Sequence, residues 1–367
     1  MKKYLFLLYI MLCSIHATAQ EKPLRLGVAG LTHGHVGWIL GREKQTDINV
    51  VGIVETNKEL ATRLSKEYGF SMNIVFDTMD ELISAVRPDA IAAFGNIKDH
   101  LNVVEKCAPN GIHVMVEKPL ATSFADVKKI EALSKKYNIH VLTNYETSWY
   151  ETNVKANQLL EEGTIGDLRK VIIRDGHKGP KKIGVSKEFL EWLTDEELNG
   201  GGALMDFGCY GANLMTWLMK GKKPRTVTAV KQQLQPENNP NVEDDATIIL
   251  TYENEMALLE PSWNWPIGRK DMELYGTKGV IYSDNPIQLR VRLSKGYSDF
   301  TEETLFFNER PEPFNDPFSV FAAVINGGLK LEPYNVYTLE NNIVVMEILQ
   351  AAINSANNGT TINLQTN

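Results

Sequence analysis

The segment from Leu24 to Gly37 reads LRLGVAGLTHGHVG and joins a short apolar run to a glycine-containing loop. From here to residue 145 the chain alternates short β-branched runs with amphipathic segments, which is typical of a parallel sheet covered by helices. We therefore predict an α/β fold that begins with a doubly wound parallel sheet, in which ligands bind at the carboxyl ends of the strands. The predicted strands are Arg25–Ala29, Asn49–Glu55, Ile74–Phe76, Ala90–Phe94, His113–Val116 and His140–Asn144.

Two helix starts in this region carry a recognisable signal. Thr78 with Glu81, and Ser123 with Asp126, have the spacing of a capping box. In a capping box each side chain accepts a hydrogen bond from the other residue's backbone N–H, so both spacings predict the first turn of a helix.

After Tyr150 the pattern changes to long strands with few helices between them. Consecutive strands favour a large, open, mostly antiparallel sheet in a second α/β domain. We therefore divide the chain into residues 1–20, 21–145 and 146–367. The predicted elements of the last part are a helix at Glu151–Glu162, strands at Leu168–Asp175, Thr226–Leu234, Asp245–Tyr252, Met256–Ser262, Asp271–Tyr275 and Gln288–Leu293, and a closing helix at Val336–Asn357.

Residues 1–20 have the features of a secretory signal peptide. Lys2 and Lys3 precede an apolar run from Tyr4 to Cys13, and Ala17-Thr18-Ala19 forms a cleavage site. The apolar run is shorter than the roughly 20 residues that a membrane-spanning helix needs. We expect a cleaved, exported protein, periplasmic or otherwise outside the cytoplasm.

The composition excludes several classes of partner. The chain has 367 residues, 38 Lys and Arg against 46 Asp and Glu, and a net charge of −8. Surfaces that bind nucleic acid or anionic membranes need clustered basic residues, and no such run occurs. Cys107 and Cys209 each lie in an apolar stretch, so we expect buried thiols rather than a disulfide.

The loop at Gly30 is a degenerate match to the dinucleotide-binding pattern G-x-G-x-x-G. Only Gly30 is in register, since Thr32 and His35 occupy the second and third glycine positions. Glu55 follows 25 positions later, where an acid accepts hydrogen bonds from the adenosine ribose and repels a 2′-phosphate. Glu55 could equally cap the next helix, but the two signals together favour dinucleotide binding, with NAD preferred over NADP. The remaining loop residues assigned to the cofactor are Leu31, His33 and Gly34.

His33 and His35 flank Gly34 and raise the question of a metal. A zinc site needs three or four converging ligands, and no cysteine or acidic cluster lies nearby in the sequence. We expect no metal, and interpret the two rings as contacts to the dinucleotide or as packed core residues.

The segment Val114–Ala121, VMVEKPLA, delivers an acid and a lysine to the carboxyl end of a buried strand. A lysine placed there can have its pKa lowered by desolvation and take part in proton transfer. The alternative is an ordinary surface lysine after a strand.

With these motifs in place, the chain resembles the Gfo/Idh/MocA oxidoreductases over essentially its whole mature length. The resemblance rests on Asp89-Ala90-Ile91 through His100, on Glu117-Lys118-Pro119, on Gly163-Thr164-Ile165-Gly166, on Gly200 to Tyr210 and on Asn315-Asp316-Pro317-Phe318. It implies a Rossmann domain, a nicotinamide cofactor, hydride transfer at a sugar or cyclitol carbon, and oligomer contacts through the second sheet.

The resemblance also implies roles for single residues. Lys118 should bind the reacting hydroxyl and assist proton transfer, Glu117 and His100 should line the cofactor site, and Asp206 should contact the substrate. Two further segments, besides the degenerate glycine loop, depart from the family pattern. Tyr210 stands where a histidine is frequent, and three residues later Asn213 replaces an acid. If Tyr210 is an acid–base group, Lys118 would have to lower the pKa of its phenol. Phe94, Gly95 and Asn96 replace the usual residues after the fourth strand.

Aromatic side chains suit a carbohydrate, because the C–H faces of sugar rings pack on aromatic rings. Core packing is the alternative for each ring taken singly. The residues assigned to the substrate pocket are Tyr145, Trp149, His177, Asp206, Tyr210 and Trp263, with Tyr150, Trp265 and Lys178 as further candidates.

The leading hypothesis is an exported oxidoreductase that keeps a tightly bound NAD and acts on a secondary alcohol of a sugar or glycoside. A second sugar or another electron acceptor would return the cofactor to its starting state. Two alternatives remain at this point: a redox-neutral glycosidase or epimerase that passes through a keto-sugar, and a non-catalytic sugar- or nucleotide-binding protein. We expect a homo-oligomer.

Overall fold

The computed structural model of the protein describes residues 22–42 and 46–364. The expected signal peptide lies outside these residues. Within them, no helix is both long and apolar enough to cross a membrane.

The first sheet has six parallel strands in the order β3-β2-β1-β4-β5-β6. The reversal of strand order between β1 and β4 creates a crevice at the carboxyl edge, which is where doubly wound sheets bind their ligands. The strands are β1 (Leu24–Ala29), β2 (Ile48–Val54), β3 (Val75–Phe76), β4 (Ala90–Ala93), β5 (His113–Glu117) and β6 (Val141–Asn144). The helices that connect them are α1 (Val36–Leu40), α2 (Lys58–Tyr68), α3 (Met79–Val86), α4 (His100–Cys107) and α5 (Phe124–Tyr137).

The two predicted helix caps have different outcomes. Thr78 and Glu81 form the full reciprocal capping box at the start of α3. At α5, Ser123 accepts the N–H of Asp126, but the Asp126 carboxylate accepts the Ser123 hydroxyl rather than its backbone N–H. The aspartate side chain is one methylene shorter than glutamate, so the second half of the box is not made.

The second sheet has nine strands in the order β14-β13-β12-β11-β7-β10-β9-β8-β15. Only β7 and β10 pair in parallel, and the other neighbours are antiparallel. The predicted α/β class and mostly antiparallel second sheet are confirmed. The strands are β7 (Leu168–Gly176), β8 (Thr226–Gln232), β9 (Asp245–Thr251), β10 (Met256–Ser262), β11 (Arg269–Gly276), β12 (Gly279–Ser283), β13 (Gln288–Ser294), β14 (Phe300–Phe306) and β15 (Ile362–Asn363).

The part of the chain after β6 also forms eight α-helices among the described residues. They are α6 (Glu151–Glu161), α7 (Pro180–Ile183), α8 (Lys187–Leu193), α9 (Glu196–Asn199), α10 (Ala203–Asp206), α11 (Gly208–Leu218), α12 (Pro317–Ile325) and α13 (Leu339–Asn358). The closing helix α13 contacts α11 and β8 on one side and α5 and β6 on the other. It begins at Leu339 rather than Val336, because Thr338 caps its first turn.

Three strands were not predicted: β15 has only two residues, and β12 and β14 each lack the pattern that a half-buried strand shows. β14 is an edge strand whose residues are nearly all exposed, so its sequence does not alternate between apolar and polar residues. β12 has only five residues between two turns. β12 and β14 are strands because they hydrogen-bond to neighbouring strands, β12 to β11 and β13, and β14 to β13.

Asn213 explains one departure from the family pattern in structural terms. Its side-chain amide donates to the Val336 carbonyl at 2.8 Å and to the Asn341 side chain at 2.9 Å, and all three groups are buried. Asn213 therefore ties α11 to the turn before α13. An acid here could not donate these hydrogen bonds.

We expect Asn213→Ala to lower the free energy of unfolding by about 1–3 kcal/mol, because the buried Asn341 side-chain oxygen loses its donor and the Val336 carbonyl keeps only the Asn342 amide. Urea unfolding followed by circular dichroism measures this. Asn357→Ala, at an exposed position of α13, is the matched control and should change the value by less than about 0.5 kcal/mol. Equal effects of the two substitutions would contradict the assignment.

Candidate functional site

Two cavities lie at the carboxyl edge of the first sheet. The first, of about 240 Å³, is formed by the ends of β1, β2 and β4 and by α4. Six of the residues assigned to the cofactor from sequence line it: Gly30, Thr32, Glu55, Gly95, Asn96 and His100.

Gly30 can only be a glycine in this arrangement. Its φ is +82°, and an added Cβ would lie 2.7 Å from the backbone nitrogen of Gly95. The loop that follows passes close over the end of β4, and the N–H of His33 donates to the Phe94 carbonyl at 2.9 Å. Among the described residues, the N–H groups of Thr32 and Gly34 have no hydrogen-bond partner. A phosphate group is a suitable acceptor for such donors.

Glu55 also lines the first cavity, next to the glycine loop, and is buried. Its Oε2 accepts the Leu31 N–H at 3.0 Å, and its Oε1 accepts the Asn57 N–H at 2.8 Å. The carboxylate is thus held in one orientation and retains lone pairs for ribose hydroxyls. Glu55 also supports the cap of α2, so both interpretations of this acid apply.

His100, at the start of α4, lines the same cavity. It is fully buried, its Nδ1 lies 3.2 Å from the Leu120 carbonyl, and its Nε2 has no partner. Burial lowers the pKa of His100 to about 4, so the ring is neutral at neutral pH. An unsatisfied buried nitrogen is costly unless a ligand meets it. The glycine cradle, Glu55 and His100 together fit a dinucleotide.

The second cavity, of about 340 Å³, lies between the two sheets. The first sheet contributes residues from the glycine loop and the end of β5, and the second sheet contributes the ends of β7 and β11 with α8, α10 and α11. The polar residues that line it are His33, His35, Lys118, His177, Ser186, Asp206, Tyr210 and Lys270.

Lys118 and Asp206 form a buried ion pair across this cavity. Lys118 Nζ donates to the Asp206 carboxylate and, at 3.0 Å, to the Asp206 carbonyl. Trp263 Nε1 donates to the other carboxylate oxygen at 2.9 Å. Burial alone would lower the pKa of Lys118, but Asp206 outweighs it, and the pKa is raised. The expectation of a lowered lysine pKa is therefore wrong, since the sequence did not place a carboxylate beside the amine.

Tyr210 also differs from expectation. Burial raises the pKa of its phenol well above the usual value, and the Glu146 carboxylate acts in the same direction. The Lys118 ammonium lies 5.3 Å from the centre of the ring and is already paired with Asp206. The expected lowering by Lys118 does not occur, so Tyr210 stays protonated at neutral pH.

His33, His35 and Glu117 form a cluster that joins residues distant in sequence. One ring nitrogen of each histidine and one carboxylate oxygen of Glu117 lie within 4.8 Å of one another. The fold thus brings an acid beside the two histidines, which the sequence did not indicate. His35 Nδ1 lies 2.9 Å from Glu117 Oε2, and Asn144 donates to Glu117 Oε1 at 2.8 Å. His33 Nδ1 accepts the His35 backbone N–H at 3.1 Å, and a neutral ring that accepts there carries its hydrogen on Nε2. These contacts describe a hydrogen-bonded cluster.

Several residues assigned to the substrate pocket lie elsewhere. Trp263 is fully buried behind Asp206, and Tyr145 packs edge-on against Tyr210 in the core. Trp149 and Tyr150 line a different cavity beside Trp38. None of these four rings lines the second cavity. Trp265 lies against Arg269 and Gly176, and Lys178 does not line the second cavity.

Helix α8, which was not predicted, lies over the glycine loop. Trp192 Nε1 donates to Thr32 Oγ1 at 3.1 Å, and Phe189 packs against the His33 ring at 4.6 Å. Thr32 lines the first cavity and Phe189 the second, so this helix bridges the cleft between them. Two ion pairs add to this contact: Glu188 of α8 pairs with Arg63, and Glu197 of the following helix α9 pairs with Lys98.

Comparison with known proteins agrees with this architecture. Trans-1,2-dihydrobenzene-1,2-diol dehydrogenase of Xenopus tropicalis is 27% identical over 235 residues, which cover 64% of this chain and 67% of that protein. Myo-inositol 2-dehydrogenase of Thermotoga maritima is 24% identical over 289 residues, covering 77% and 82%.

Two solved structures share the fold. An inositol dehydrogenase homolog from Azotobacter vinelandii, complexed with NAD+, has a TM-score of 0.79 at 15% identity and covers 94% of this chain and 98% of its own. An aldose-aldose oxidoreductase from Caulobacter crescentus, complexed with glycerol, has a TM-score of 0.75 at 21% identity, covering 93% and 100%.

Both parts of the chain match sequence families. Residues 24–145 match the family described as "Oxidoreductase family, NAD-binding Rossmann fold", and residues 153–282 match the GFO/IDH/MocA C-terminal domain. The predicted family, oxidoreductase class and NAD cofactor are confirmed. This chain belongs to the Gfo/Idh/MocA family of NAD-binding oxidoreductases.

Proposed function

We propose that the protein is an exported oxidoreductase that transfers a hydride between tightly bound NAD and a secondary alcohol or ketone of a sugar or glycoside. The observation that carries the proposal is the Lys118–Asp206 pair, which lines a cavity adjoining the dinucleotide cleft. NAD, when bound, supplies the hydride acceptor, and NADH the donor.

Lys118 would hold the reacting oxygen. An ammonium has three N–H donors, and two are directed to the Asp206 carboxylate and carbonyl. The third is free for a hydroxyl or ketone oxygen of the substrate. The ammonium stays charged, so it stabilises negative charge that develops on that oxygen.

The cavity supports a ring-shaped polyol. Its volume of about 340 Å³ suits a compact ligand, and it combines the apolar side chains of Phe189, Leu193 and Phe207 with the polar groups described above. The relatives named for a cyclic diol and for inositol, both alcohols on six-carbon rings, support the same substrate class.

A redox-neutral reaction is the second candidate. The bridge of α8 across the cleft favours it, because a covered cofactor is suited to taking up a hydride and returning it to the same sugar. Transient oxidation acidifies the neighbouring C–H, and elimination or epimerisation can follow before the hydride returns.

We also propose a homo-oligomer formed through the second sheet. Its β14 edge carries exposed apolar side chains, with Phe300 50% and Phe306 71% exposed. Exposed apolar side chains on an edge strand favour association. Sedimentation velocity measures the stoichiometry, and a monomer would overturn this part of the proposal.

We expect removal of Lys118 to lower turnover by at least about a hundredfold, the scale of a group that stabilises the reacting oxygen. Lys118→Met alone leaves the Asp206 charge buried and unpaired, which threatens the fold. The decisive variant is therefore Lys118→Met with Asp206→Asn. Substrate-dependent NADH absorbance gives turnover, and thermal unfolding checks the fold. A folded, NAD-bound double variant with turnover near wild type would remove Lys118 from the mechanism.

Glu55 should make the protein prefer NAD to NADP, because a 2′-phosphate would lie against a buried carboxylate. Isothermal titration calorimetry on protein stripped of cofactor measures both affinities. Glu55→Gln should narrow the preference by about tenfold or more, whereas Glu59→Gln, at an exposed position in the first turn of α2, should leave it unchanged. Equal affinities in the wild type would contradict the placement of Glu55.

We expect the exported form of the protein to be the form that retains its cofactor. Little free NAD is present outside the cytoplasm, so we expect the processed chain, cleaved after Ala19, to retain NAD(H) through dialysis. Intact mass and released-cofactor analysis of fractionated cells measure both. Trp192→Ala removes the bridge to Thr32 and should release the cofactor during the same dialysis. An unprocessed chain would refute export, and an empty processed chain would refute tight binding.

A further inference from the structure

Oxidation of an alcohol needs a group that takes the hydroxyl proton, and the residues described so far do not provide one. Lys118 and Lys270 are ammonium groups paired with Asp206 and Glu146. Tyr210 holds its proton firmly. Both carboxylate oxygens of Asp206 are already occupied, one by Lys118 and the other by Trp263. The Ser186 hydroxyl caps α8 and is not basic.

Two of the three histidines that line the cavity can only donate. His33 Nδ1 accepts the backbone N–H of His35 at 3.1 Å, and His177 Nδ1 accepts that of Gly179 at 3.0 Å. A neutral imidazole carries one hydrogen, which in these rings must lie on Nε2. Neither ring therefore has a free basic nitrogen, since Nδ1 accepts a hydrogen bond and Nε2 carries the hydrogen; in His33 this Nε2 lies 3.9 Å from Glu117 Oε2.

His35 has the opposite arrangement. Its Nδ1 lies 2.9 Å from Glu117 Oε2, and since a carboxylate can only accept, the ring hydrogen lies on Nδ1. The lone pair is then on Nε2, which has no hydrogen-bond partner in the described part of the chain, and the ring lines the second cavity. Among the polar groups of this cavity, His35 presents the free basic nitrogen.

The orientation of His35 is fixed from two sides. Asn144 donates to Glu117 Oε1 at 2.8 Å and so holds the carboxylate, and the imidazole stacks on Trp38 with ring centres 3.5 Å apart. An imidazole oriented by a carboxylate through Nδ1 is the arrangement that makes Nε2 an effective general base. The contacts come from α1, β5 and β6, so no local motif shows them.

We propose that His35 is the general base of the oxidation, with Glu117 and Asn144 as its positioning residues; this rests on the proposed function. The hydroxyl O–H bond breaks and its proton forms a new N–H bond at His35 Nε2. The C–H bond breaks with its electron pair, which leaves as hydride to NAD, and a ketone remains hydrogen-bonded to Lys118. In the reverse direction the imidazolium returns the proton.

Charged groups of both signs surround His35 and act on its protonation in opposite directions. Glu117, Glu146 and Asp206 favour the imidazolium, whereas Lys118 and Lys270 disfavour it. Burial lowers the pKa of His35 well below its ordinary value, so the ring is neutral and able to accept a proton at neutral pH. Contact with Glu117 stabilises the charge once it forms.

The first test is independent of activity. Nitrogen-15 NMR of histidine-labelled protein distinguishes the two neutral tautomers, and His35→Gln identifies the His35 signals. We expect the Nδ1–H tautomer for His35 and the Nε2–H tautomer for His33 and His177. An Nε2–H tautomer at His35 would overturn the proposal, whatever the substrate is.

The second test is chemical rescue. His35→Ala should lower turnover by about a hundredfold or more, and added imidazoles should restore it in the order of their basicity. His33→Ala should show no rescue that follows basicity, because its ring only donates. His113→Ala, at the opposite end of β5, should behave as wild type.

The outcomes separate the two proposals. If the wild type oxidises no cyclic alcohol, the proposed function fails, while the tautomers still report whether the His35–Glu117 arrangement exists. If the wild type is active and His35→Ala retains turnover within about twofold, His35 is not the base. Loss of activity without rescue by any imidazole, in a variant that still binds NAD, would also contradict the proton-transfer role.

Discussion

The buried ion pair between Lys118 and Asp206 is the interaction on which the site depends. Each side chain is only 5% exposed, and the pair joins the end of β5 in the first sheet to α10 beside the second. Transfer of two charges from water is costly, and the hydrogen bonds from Lys118 to the Asp206 carbonyl and from Trp263 to the carboxylate offset that cost. The pair therefore connects the two parts of the chain at the wall of the cavity.

This pair also decides what Lys118 can do. Beside a buried carboxylate the ammonium stays charged, so it binds and polarises an oxygen rather than accepting a proton. Proton acceptance must then come from another group, and the Glu117 side chain directs a histidine of the glycine loop toward that role. Adjacent residues of one strand end, Glu117 and Lys118, thus serve different functions because they face different partners.

The glycine loop shows why a degenerate motif can still be functional. Gly30 is required by its positive φ and its contact with Gly95. The other two glycine positions hold Thr32 and His35, which a standard loop would not accommodate. Here Thr32 is bridged by Trp192, and His35 packs on Trp38 and bonds to Glu117. Thr32 thus anchors α8 over the loop, and His35 lines the second cavity.

The α/β class and most strands of both sheets could be predicted from the amino-acid sequence, because periodicity is a local signal, and the motifs at the strand ends indicated Glu55 and Lys118. The resemblance of those motifs to a known family added Asp206 and His100. The protonation of Lys118 and Tyr210, the position of Trp263 behind Asp206 and the contacts of α8 and Lys270 became visible in the folded structure. A pKa and a cavity wall depend on burial and on partners far along the chain. Those distances are set when the two sheets pack, and no local pattern encodes them.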